Sequence, residues 1–317
     1  MRIGVGIGGI FGQSAGLDSQ LQEIQAAEHD GFAAVLVPHI RGWDALTLIA
    51  LAGQRTNRIE MMTGVVPVYT RHPALMAQQA LTAQAATRGA RDGEPRGRLT
   101  LGIGLAHPET VAGWWGLSYD RPARYMREYL TVLLPLLGNK TVSFRGDVHR
   151  AAVSLEFPGV PAPSVLLAAL APAMLQMAGA IADGTITWMV GRAALTAHIV
   201  PHIRRAAEQA GRPTPRIAVS LPVAITDDPQ AARRTVAQRF KRYGELINYR
   251  RVLDIGGAAG PEDVAIIGNE AGVESQIDDL AAAGATDLVA AVPPVGPDPA
   301  ASAARTRALL RKLAGRS

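Results

Sequence analysis

The chain has 317 residues, 48% of them hydrophobic and 19% charged, which is enough to build a large core in one domain over residues 1–317. Lys and Arg number 32 against 27 Asp and Glu, and this +5 is spread along the chain, which argues against a nucleic-acid partner and suits an anionic small molecule. The absence of cysteine excludes disulfides, thiolate metal sites and cysteine nucleophiles, and with no secretion signal and no apolar run long enough to span a membrane, a cytoplasmic protein is expected.

Short β-branched runs alternate with longer helical segments. Residues 3–8 read as a strand, and 17–30 as a helix whose apolar positions Leu17, Leu21, Ile24 and Ala27 recur at threes and fours before the stop at Gly31. A strand over 33–37, a helix over 43–55 and a strand over 59–68 follow. Pro73 opens a helix running to about 87. The glycine- and charge-rich residues 88–98, with Asp92 and Glu94 among the arginines, read as a mobile loop. Residues 99–105 form the fourth strand and 121–137 the fourth helix; 141–163 look like a hairpin excursion.

The alternation resumes with strands over 165–169, 185–189, 217–225 and 287–292. The helices between and after them cover 172–182, 195–210, 229–243, 273–283 and 299–313. Residues 244–272, with Gly256-Gly257-Ala258-Ala259-Gly260, read as irregular. Strict strand–helix alternation implies a parallel sheet, and eight units in this length fit a (β/α)8 barrel (the TIM fold) with insertions after strands 4 and 7.

In such a barrel the chemistry gathers at the C-terminal ends of the strands. His39 ends the second strand there, and a histidine of near-neutral pKa can exchange a proton beside a hydride acceptor; a capping or core role is the alternative. Trp43 either walls the pocket or packs a helix. Gly64 and Pro67 interrupt the third strand in the manner of a bulge. Gly102-Ile103-Gly104 would let a flat ring approach the backbone, and His107 is a second acid–base candidate. His72 reads as structural, and His198 and His202, four apart, as a solvated helix face. Gly4, Gly6 and Gly9 match GxGxxG literally, yet they occupy the strand itself, whereas the dinucleotide fingerprint follows one.

These segments also carry a resemblance. Ala27-Glu28-His29-Asp30-Gly31-Phe32, Arg55-Thr56-Asn57-Arg58-Ile59, Arg71-His72-Pro73, Arg98-Leu99-Thr100-Leu101-Gly102-Ile103-Gly104 and residues 178–184 recur in that order in the luciferase-like superfamily of flavin and deazaflavin oxidoreductases. Gly104-Leu105-Ala106-His107 and residues 116–124 most resemble its actinobacterial F420-dependent branch. The resemblance implies a homodimer and a cofactor in the barrel mouth, coenzyme F420, with FMN and monooxygenase chemistry as the alternative. It implies a catalytic His39 assisted by His107, a pocket Trp43, and a non-prolyl cis peptide at Gly64-Val65 behind the cofactor ring. Leu105 and Ala106 would line the cofactor, where the strand-end rule also places Thr187 and Trp188 of the sixth strand, and Leu170, Ala171 and Ala173 would sit near its phosphate, held by backbone N–H groups. Two departures, Pro38 in place of an aspartate and His107 in place of a glutamate, argue against sugar-phosphate oxidation, as does Gly191 near a phosphate-gripping lysine. Reduction of a C=C, C=N or C=O bond is the expected reaction.

Overall fold

A computed structural model describes residues 1–8, 16–91 and 94–316. Eight parallel strands form its centre: β1 (Arg2–Gly6), β2 (Ala34–Val37), β3 (Glu60–Thr63), β4 (Leu99–Gly104), β5 (Ser164–Ala168), β6 (Gly184–Trp188), β7 (Arg216–Ile225) and β8 (Asp287–Ala291). Each pairs with the next, and β8 pairs with β1 through Gly4 and Val289, so the sheet closes into the expected barrel.

Strand alternation sorts the side chains. Ile3, Val5, Val35, Leu167, Val219 and Leu288 face outward and pack with the helices. Ala34, Leu36, Met62, Leu166, Ile186, Ala218 and Val289 form a separate inner cluster, with Val65 and Ala168 against its upper edge. The lower end is closed by charge. Arg216 lies 2.6 Å from both Glu60 and Asp287, and Arg2 also pairs with Glu60. Burial pushes the Glu60 carboxyl up, but the two guanidiniums outweigh it and hold it below its usual range.

The same lower end explains several of the recurring segments. The Glu28 carboxylate accepts the N–H groups of Asn57, Arg58 and Ile59, at 3.0, 2.6 and 2.8 Å. Arg98 is buried and donates to the carbonyls of Gly53, Thr56, Ile59 and Thr87. The expected mobile loop at 88–98 is therefore corrected at its end: Arg98 is a fixed knot, and Gly89–Arg91 and Glu94–Arg96 pair as antiparallel strands. Asp92 of that loop, and Gly9 of the GxGxxG match, lie outside the described residues. Gly4 has a packing role, because a Cβ there would stand 2.6 Å from the Ala34 carbonyl oxygen.

Both expected insertions are present. After β4 comes a helix over Pro108–Trp115 that periodicity missed, then the barrel helix Pro122–Leu137 and the hairpin Val142–Arg145 with Arg150–Val153. After β7 the supposedly irregular 244–272 is mostly regular. It holds the end of the helix Pro229–Glu245, helices Ile247–Ile255 and Pro261–Val264, and a strand, Ile266–Gly268, parallel to the end of β7. No helix among the described residues is long and apolar enough to cross a membrane.

Candidate active site

The upper inward positions are small. Gly64, Gly104, Ala168, Ser220 and Ala291 stand above the bulkier residues of the inner cluster and leave the mouth lightly filled, with Trp188 at the end of β6 as the large exception. Val65 forms part of its floor, half-buried and packed on the inner cluster. The Gly64–Val65 peptide is cis, and the third strand resumes at Val66–Pro67 beside β4. One expectation needs revision here. A Cβ on Gly102 would lie 2.1 Å from the Thr63 carbonyl oxygen, and one on Gly104 2.8 Å from Val65 Cγ2. The two glycines thus make room for the bulge and for Val65, and a ligand ring would meet the valine.

His39 stands just beyond β2, largely buried. Its Nδ1 accepts the Ala45 N–H at 3.2 Å, at the start of the helix Ala45–Gly53. Arg71 Nη1 lies 3.4 Å from its Nε2. Arg71 is itself held by an ion pair to Asp44 and by Gln79 at 2.9 Å. Asp44 caps the helix through the Thr47 N–H and has Oδ2 3.7 Å from His39 Nδ1. Burial depresses the His39 pKa, Arg71 depresses it further, and Asp44 opposes them in part. Sequence reasoning missed the Asp44–Arg71 clamp, although the position of Asp44 just before a helix was a readable capping signal.

His107 lies beyond β4 as the residue preceding the helix Pro108–Trp115, and burial and Arg242 hold its pKa down against Glu109. Its ring is 5.7 Å from Tyr249, which packs on Tyr243, which packs on Trp188 at the end of β6. The insertion after β7 therefore lays an aromatic arch from β4 to β6, two of whose rings, Tyr243 and Tyr249, the sequence did not single out. Leu105 and Ala106 are half-buried beside it, and Ala106 takes a left-handed backbone at φ 58° that a side-chain-bearing residue adopts at a cost. Trp43 is 45% exposed, on the rim. Arg41 stacks 5.4 Å over Trp114, joining the loops after β2 and β4.

Past β5, Leu170 and Ala171 lead into the helix Pro172–Ala180. Ala171 is the cap residue and has no side-chain acceptor, and Pro172 lacks an N–H. The N–H groups of Met174 and Leu175 both donate to the Ala171 carbonyl, at 3.0 and 2.9 Å, which leaves that of Ala173 without an intrahelical or side-chain partner. His198 Nε2 donates to the Leu170 carbonyl at 2.8 Å. This corrects the solvated-face reading: His198 is 8% exposed, in a π-helical turn, Leu195–Ile199, and His202 Nδ1 donates to its carbonyl. His72 is structural as expected, accepting the Ala74 N–H and donating to the Arg150 carbonyl.

Thr187 is the one expected cofactor residue that the fold does not bring to the mouth. In β6 the residues Gly184, Ile186 and Trp188 turn inward, so Thr187 is buried on the outer face. Beside the mouth, a cleft of about 540 Å³ opens between the β6 loop and the insertion, lined by Gly191, Arg192, Val252, Gly256, Ala258 and Val264.

With this geometry in view, comparison with known proteins is specific. A family model, luciferase-like monooxygenase, matches residues 3–316. An F420-dependent glucose-6-phosphate dehydrogenase of Nakamurella multipartita is 28% identical over 231 residues, covering 68% of this chain and 65% of that protein. Monooxygenase RslO1 of Streptomyces bottropensis aligns over 100% of both chains with a TM-score of 0.76 and 21% identity. The coenzyme F420-dependent tetrahydromethanopterin reductase of Methanopyrus kandleri covers 99% of this chain and 98% of its own, with a TM-score of 0.73 and 20% identity. At such identities the two structural likenesses concern the fold.

Proposed function

The chain belongs to the luciferase-like monooxygenase family, and from that premise we propose that it is an F420-dependent oxidoreductase acting on a small organic substrate. The observation that carries the proposal is the pairing, at one barrel mouth, of small inward side chains above Val65 with a helix start at Ala171 that has no side-chain cap. A flat tricyclic ring suits the first and its phosphate the second, because the unpartnered Ala173 N–H and the helix dipole favour an anion there without any charged side chain. The residues present therefore fit a ring-and-phosphate cofactor, with Gly64, Val65, Leu105 and Ala106 around the ring and Leu170, Ala171 and Ala173 at the phosphate.

FMN has the same two parts. F420 is preferred because the individual relative alike in sequence is F420-dependent, whereas the monooxygenase RslO1 is alike in fold. When bound, F420 supplies or accepts a hydride. The chain's own contribution is position and proton management. In reduction, hydride adds to the carbon of a C=C, C=N or C=O bond, the π pair moves to the far atom, and that atom takes a proton by way of His39. Nδ1 is engaged by Ala45, so Nε2, whose contact with Arg71 is long for a hydrogen bond, is the nitrogen left to the substrate. His107 assists from β4. The aromatic arch of Tyr249, Tyr243 and Trp188 excludes water from that side.

Titration of the purified protein with F420 and with FMN tests this reading. Micromolar or tighter binding of F420 is expected, and binding of FMN alone would replace the proposal with a flavin monooxygenase.

A further inference from the structure

Two hydrogen-bond donors face the His39 ring from different elements. The Ala45 N–H addresses Nδ1 at 3.2 Å, and Arg71 Nη1 stands 3.4 Å from Nε2. A neutral imidazole can accept from one of them, but an imidazolium, which has only donors, can accept from neither. The Ala45 N–H is backbone at a helix start and cannot turn away. Arg71 cannot swing away either, because Asp44 holds its Nη2 and Gln79 its Nε. Among the described residues, the charged groups acting on the ring are Arg71 and Asp44. Asp44 is the group that would welcome a second proton, and it is committed to Arg71 and to the Thr47 N–H.

We propose that Arg71 is a positioning residue that keeps His39 neutral and so sets the pH at which the site passes from accepting the substrate's proton to supplying it. The kinetic half of this rests on the hydride-transfer reading above; the ring's protonation does not. In the oxidative direction the neutral ring takes the proton on Nε2 once its own hydrogen has moved to Nδ1, giving up the Ala45 bond, and the rate falls when pH drops through the depressed pKa. In the reductive direction His39 must first be loaded with a proton, so the rate rises as pH drops through that same value. Burial acts in the same direction as Arg71, and the cation is the part a substitution can remove. Losing it also frees Asp44, 3.7 Å from Nδ1, to favour the charged ring.

The test joins an NMR titration of isotopically labelled histidine with pH–rate profiles. The His39 signal, assigned by its loss in His39→Gln, is expected to titrate below the ordinary imidazole range in the cofactor-free protein. In Arg71→Gln that midpoint and both rate profiles should move to higher pH, with kcat/KM at the optimum lowered about ten- to a hundredfold by lost orientation. Arg71→Lys, which keeps the cation, should hold the midpoint near that of the unsubstituted protein. A midpoint unmoved or lowered in Arg71→Gln overturns the proposal. If that variant does not fold, an ordinary or raised midpoint in the unsubstituted protein overturns it. Because the NMR arm needs neither cofactor nor substrate, failure to bind F420 would sink the functional reading and leave this inference standing.

Discussion

Two helices begin at the barrel mouth, and their first turns are built in opposite ways. The helix after β2 is fully engaged: Asp44 caps it through Thr47, and the Ala45 N–H fixes His39. The helix after β5 begins Leu170-Ala171-Pro172-Ala173, with no cap acceptor and the Ala173 N–H left over. Side-chain acceptors start other helices, at Asp228, Asn269 and Asp298, whereas the helices Leu17–His29 and Pro122–Leu137 start without one, as the helix after Ala171 does. An N-cap is worth about 1 kcal/mol. The contrast teaches that one helix start spends its donors on orienting a side chain, and the other keeps them for a ligand's negative charge.

Substitutions that strike one side alone should break this division if it is wrong. The largest effect is expected from His39→Ala, which should lower turnover about 10²–10⁴-fold while cofactor affinity stays nearly intact. Unchanged turnover in steady-state assays would remove His39 from the mechanism. Next, Ala171→Asp should have the reverse signature. A carboxylate placed at the cap would compete for the N–H groups and repel a phosphate, weakening F420 binding about tenfold. The same change should raise stability by about 0.5–1 kcal/mol in denaturant unfolding, since it supplies the missing cap. Tighter cofactor binding in this variant would contradict a phosphate at Ala171.

The smallest effect sharpens the first side. Asp44→Ala should cost about 1 kcal/mol of stability through the lost cap. Burial pushes the Asp44 carboxyl up, but the Thr47 N–H and hydroxyl, Arg71 and His39 outweigh it, so its folded-state pKa lies below the ordinary value. A depressed carboxyl stabilises fully above its unfolded pKa and loses that contribution as pH falls through the folded one. The gap in unfolding free energy between Asp44→Ala and the unsubstituted chain should therefore narrow in acid. A gap that widens there would mean the clamp is drawn wrongly.

The barrel was legible because its evidence is local and repeated: β-branched runs, helical periods and turn residues each report on a few neighbours. His39 was legible by its place at the end of a strand. What stayed hidden needs closure of the chain upon itself. Arg71, in the loop after the third strand, meets His39 and Asp44, in the loop after β2, only once β2 and β3 are paired. Arg98 reads as part of a glycine-rich loop until the carbonyls of Gly53, Thr56 and Ile59 surround it. Thr187 was chosen for its place near a strand's end, and the alternation of that strand, with Ile186 in the inner cluster, turns it outward. Trp114 and Trp115 hid a helix whose span, Pro108–Trp115, is too short for a periodic pattern to stand out. Several segments carrying the family resemblance, such as Glu28 with Asn57 to Ile59, tie the barrel together far from its mouth. Resemblance there identifies the scaffold, and the chemistry rests on the loops above it.

The most direct trial of the account is a crystal structure of the chain with F420 bound. It should place the deazaflavin ring against Val65 with its reactive face toward His39, and the phosphate on the N–H groups that follow Ala171. A ring seated outside the mouth, or a phosphate held by charged side chains away from that helix, would contradict it.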